Sequence, residues 1–81
     1  MKVSLGYHNF KGLSYEFFFQ AKPGYDEYVI LANRSLDGKK CPIWVSISEL
    51  KSYTRESYPS SYWIFFDLYE SEQAQKLLLL L

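Results

Sequence analysis

His8 and Cys41 are the only histidine and the only cysteine in the chain. A thiolate beside an imidazole is the minimum for cysteine-based nucleophilic chemistry, and a third group must orient the ring. Asp37 or Asn9 could supply that group, which would make a small Cys-dependent hydrolase. The plainer reading is stronger. Cys41 opens a strand-like segment, where it packs as a small hydrophobe, and His8 falls in a turn. A reactive thiol needs an electropositive, partly exposed niche, and nothing around Cys41 demands one. One His and one Cys also fall short of the four N or S ligands of a structural zinc site. No catalytic residue, metal or cofactor is assigned.

Asp67, Glu70 and Glu72 form the densest group of carboxylates. Paired carboxylates can run acid/base or metal chemistry, but acidic residues also favour the first turn of a helix for dipole reasons alone. Asp67 interrupts a long apolar run, so it either faces water or needs a partner such as Arg55 or Lys51. The four glycines are scattered, without the spacing of a phosphate loop. No serine stands in a nucleophile-elbow pattern.

Basic residues interleave with rings in two connections. Arg34, Lys39 and Lys40 flank one turn, and Lys22 and Tyr25 share another. A positive groove with stacking rings is the composition of a single-stranded nucleic-acid binder. Against that, nine Lys or Arg are balanced by nine Asp or Glu, and a broad electrostatic footprint for nucleic acid needs a basic excess. Solvated hairpin tips are the stronger account of these basic residues, since turn tips are polar and exposed.

The tyrosines say most. There are eight, beside six Phe and two Trp, so rings make up 20% of the residues. Tyr supplies rigid apolar area with one hydrogen-bonding end and is enriched in protein interfaces. So short a chain cannot hide every ring if helices cover one face of its sheet. Tyr25 in a loop, and Tyr53 and Tyr58 at a helix end, are the first candidates for exposure. With Arg34, Lys39, Lys40 and Arg55 at the rim, they form the candidate partner-binding set.

The elements that must position these residues follow from periodicity. Val3, Leu5 and Tyr7 alternate as a half-buried strand, and residues 8–12 read as a turn in which Gly12 takes positive φ. Residues 13–20 put Leu13, Tyr15, Phe17 and Phe19 on one face. Pro23-Gly24 suits a type II turn. Residues 27–33 are apolar on both faces, as in a central strand. Asp37-Gly38 is a hairpin signal, and residues 41–45 form a fourth strand with Pro42 near its start. Ser46 and Glu49 have the spacing of a capping box, with Val45 and Leu50 as its hydrophobic staple. That helix runs on through Tyr53 or Thr54 and Ser57 or Tyr58 until Pro59 stops it. Residues 62–69 read as a fifth strand, and Ser71 as the N-cap of a last helix over 72–80.

The expected fold is therefore a single α+β domain over residues 1–81, in the order β-β-β-β-α-β-α. An antiparallel sheet of about five strands carries two helices on one face. Of the closing leucines, Leu77, Leu78 and Leu81 can join the core with Ala74, which leaves Leu79 and Leu80 outside. A homodimer through this helix, or a frayed end, would account for them. The run is far too short for a membrane span, and Met1–Gly6 turns polar before any signal-peptide core develops. A single cysteine fits a reducing, cytoplasmic location. Together these residues favour a non-enzymatic protein-binding module, an inhibitor or adaptor. Phage-encoded inhibitors such as anti-CRISPR proteins share its size and lack of motifs. The single-stranded nucleic-acid binder is the alternative, and the hydrolase the least supported reading.

Overall fold

The computed structural model describes residues 2–34 and 43–80. Among them, four strands form one antiparallel meander, β1 (Lys2–Phe10), β2 (Leu13–Ala21), β3 (Tyr28–Asn33) and β4 (Ile43–Ser46), in spatial order β1-β2-β3-β4. The first hairpin is tighter than residues 8–12 suggest. β1 continues to Phe10, which pairs with Leu13 across the two-residue turn Lys11-Gly12. Both turn residues have positive φ, 52° and 78°. That is the twist-matched turn hairpins prefer, and a glycine at its second position avoids Cβ strain. At Pro23-Gly24 the Tyr25 N–H reaches the Lys22 carbonyl at 3.0 Å, and Gly24 has φ 79°, as a type II turn requires. The Asp37-Gly38 connection, Cys41 and Pro42 lie outside the described residues.

Register decides which rings share a face. Phe19, Ile30 and Val45 stand in line across β2, β3 and β4, and Phe17, Ala32 and Ile43 form the next row. A bulge between Ser4 and Gly6 turns Leu5 inward. This face carries the core. The core cluster draws on it and on the helices, whereas Val29 and Leu31, on the opposite face, stand outside the cluster although both are buried.

The helices are where sequence and structure part. α1 (Ile47–Lys51) begins as its cap predicts, the Ser46 hydroxyl accepting from the Glu49 N–H at 3.1 Å. Val45 and Leu50 are both buried. The helix does not continue to residue 58. Ser52 Oγ donates to the Glu49 carbonyl at 2.7 Å, and Ser57 Oγ donates to the Thr54 carbonyl and accepts the Thr54 N–H, both at 3.0 Å. Short hydroxyl side chains that satisfy nearby backbone groups compete with the helical ladder.

The fifth strand is also corrected. Residues 60–62 form a 3₁₀ turn, and α2 spans Trp63–Glu70. Read at a helical period, Tyr62, Phe65, Phe66 and Tyr69 fall on one side, while Trp63, Asp67 and Glu70 remain exposed. β-Propensity in an aromatic run is weak beside what burial contributes, on the order of 1.5–3 kcal/mol for each fully buried ring. Phe65 meets Phe10 and Phe17 edge to face, at 5.4 and 5.3 Å, and so fastens α2 to the sheet. α3 (Glu72–Leu79) starts on Ser71, whose hydroxyl accepts from the Ala74 N–H at 3.2 Å. Leu77 and Leu78 pack on the core, whereas Leu79 and Leu80 are 86% and 78% exposed. Among the described residues, no helix is long and apolar enough to cross a membrane.

Candidate functional site

The tyrosines divide sharply by exposure. Tyr25 is 64% and Tyr53 41% exposed, but Tyr58 is only 6%, so the expectation that Tyr58 is solvent-facing is corrected. The cause is Trp63. Its indole N–H is shared between the carbonyls of Arg55 and Tyr58, 3.0 Å from each, which pins the segment after α1 against α2. Tyr58 is thereby folded inward, tilted against Phe66 at 5.9 Å.

Pinning that segment opens a cavity of about 300 Å³ at the edge of the sheet. Ile43, Trp44 and Val45 of β4 form one wall, and Glu49 of α1 contributes a carboxylate. Tyr53, Tyr58, Pro59 and Tyr62, from the segment between α1 and α2, complete the lining. Tyr53 meets Tyr58 edge to face at 5.2 Å. Burial, and next the negative charge of Glu49, push the Tyr58 hydroxyl up to about 12, so that group stays neutral at any ordinary pH. No family model, curated protein or solved structure matches this chain.

The other residues singled out from sequence lie apart. Tyr25 sits on the β2–β3 turn under the Lys22 ammonium, 4.3 Å from the ring centroid, and Lys22 also pairs with Glu27 at 3.6 Å. Arg34 follows the end of β3. Neither lines the cavity. Arg55 lies over the Trp63 ring at 4.8 Å and pairs with Asp67 at 3.5 Å; Asp67 is exposed and has the partner its position called for. Lys39, Lys40 and Cys41 lie outside the described residues. A His8 ring nitrogen bonds the Leu5 carbonyl at 2.9 Å, and the ring packs edge-on against Phe17. Glu72 pairs with Lys76 one turn along α3.

Sequence reasoning found Tyr53 and Tyr58 but missed Trp44, Glu49 and Tyr62 as site residues. Glu49 was accounted for by the capping box. Tyr62 is hidden by the strand reading of 62–69; at a helical period it falls beside Phe65 and Phe66. No local signal marks Trp44, whose place depends on β4 being the edge strand.

Proposed function

We propose that this chain is a non-enzymatic protein-binding module, an inhibitor or adaptor, that grips its partner through the aromatic pocket between β4 and the α1–α2 segment. One observation carries the reading: the rings of Trp44, Tyr53, Tyr58 and Tyr62 line one open cavity, where the exposed Tyr53 meets Tyr58 at the margin of the core. Anchor residues of this kind dominate interface energetics, because Trp and Tyr in a desolvated pocket carry most of the affinity. The Arg55–Trp63 stack at the neighbouring corner supplies part of a polar rim.

Site-specific crosslinking tests this. A benzoylphenylalanine is placed at position 53, 25 or 79 of the full chain and irradiated in lysate of the native source. A discrete adduct is expected at position 53, and it should disappear when Trp44→Ala is added. Adducts confined to position 25 or 79 would move the interface to the β2–β3 turn or the C-terminal helix and defeat the proposal.

A further inference from the structure

Three consecutive residues of β4 line the pocket, Ile43, Trp44 and Val45. Side chains of a strand alternate between the two faces, so a cavity that touches all three runs along the strand's outer edge. β4 is the last strand in the sheet order of the described residues. Edge strands present backbone N–H and C=O groups ready to pair with another chain. The cavity thus adjoins the place where an extended peptide adds to a sheet. In that mode main-chain bonds supply affinity and side-chain pockets supply selection.

The lining says which side chain is selected. Ring faces carry partial negative charge and attract cations, most strongly at Trp and Tyr. Among the described residues, Glu49 is the one charged residue lining the pocket, and none of the ion pairs between them involves it. Arg55 is engaged on Trp63 and Asp67, and Lys11 stands over Phe10 and over Tyr62 at the pocket itself. Lys11 also shows that the Tyr62 ring receives an ammonium, its Nζ standing 5.3 Å from the centroid. The negative potential of Glu49 reaches into the site, since it adds to the upward shift of Tyr58. We infer that the pocket takes the ammonium of a lysine, plain or methylated, presented by an extended segment of the partner protein added along the outer edge of β4. The inference rests on this pocket being the partner-binding surface.

The test is a ¹⁵N NMR titration of the full chain with the peptide acetyl-Thr-Val-Lys-Val-Thr-amide. Its counterparts carry norleucine or trimethyllysine in place of the lysine, and tetramethylammonium chloride serves as the free cation. Shifts are expected at residues 43–46 and 53–62, with the norleucine peptide weaker by roughly tenfold, the scale of a partly desolvated cation–π contact. Glu49→Gln, at an exposed position, should narrow the gap between the lysine and norleucine peptides and leave the fold intact. N-methylation of the peptide backbone should weaken binding further. Equal affinity for lysine and norleucine, shifts outside these segments, or no binding at millimolar peptide would each overturn the assignment. So would tetramethylammonium binding as tightly as the peptides, which would make the ligand a free small cation. If the position-53 crosslink persists while lysine selection fails, the binding surface stands and only the lysine assignment falls.

Discussion

The rings of Tyr53 and Tyr58 meet edge to face, centroids 5.2 Å apart and planes at 61°, yet one stands in solvent and the other in the core. Their substitution should separate binding from stability. Tyr53→Ala, at 41% exposure, should lower stability by less than about 1 kcal/mol while weakening partner binding. Tyr58→Ala removes a buried ring and should cost roughly 3–5 kcal/mol. Urea midpoints of the two variants check the contrast; similar losses would mean Tyr53 is held in the core in solution.

Tyr58 also sets a pH dependence. Its hydroxyl is pushed up to about 12, from the ordinary value of 10.0, by burial first and by Glu49 next. A raised folded-state pKa leaves this contribution whole below pH 10 and removes it as the pH climbs toward 12, because the unfolded chain loses the proton first. The loss approaches roughly 2–3 kcal/mol at about 1.4 kcal/mol per pH unit. In Tyr58→Phe the alkaline decline should be shallower by about that amount. Parallel declines of the two proteins from pH 9 to 12 would contradict it.

Trp63 holds the pocket's outer wall through two carbonyls on one N–H, 3.0 Å from each. Trp63→Phe keeps a ring for Arg55 but removes the donor. A loss of about 1–2 kcal/mol is expected, with faster amide exchange across residues 53–58 than in α3. Unchanged exchange in that segment would show that the indole bond does not hold it.

Core and surface apolar residues should respond oppositely. Phe65 is fully buried, whereas Leu79 and Leu80 are largely exposed. Phe65→Ala should cost on the order of 3–5 kcal/mol, as deletion of a packed ring does. The double variant Leu79→Lys/Leu80→Lys should stay within about 0.5 kcal/mol of the parent. A large loss from the lysine pair would mean that a second chain covers this end of α3, and light scattering would then show a fall in mass.

Much of the fold was legible locally. Alternation placed Tyr15, Phe17 and Phe19 on one face of β2, and the both-sided apolar run of β3 marked a central strand. Ser46 and Ser71 announced two helix starts, because capping needs only one side chain and a backbone N–H three residues on. What was not legible depends on partners distant in the chain. Residues 62–69 carry strand-like composition, and only the rings of Phe10 and Phe17 waiting on the sheet make the helical arrangement of Phe65 the better burial.

The candidate site divides in the same way. Its supply of rings is a property of composition, visible as soon as the tyrosines are counted. Its location is a tertiary outcome, since Trp44 comes from an edge strand, Glu49 from a helix cap, and Tyr58 and Tyr62 from a segment held by Trp63. Side-chain types and short-range hydrogen bonds are written into the chain residue by residue. The convergence of four rings on one carboxylate exists only after the sheet, its edge and the helices have packed, because no two of those elements settle it between them.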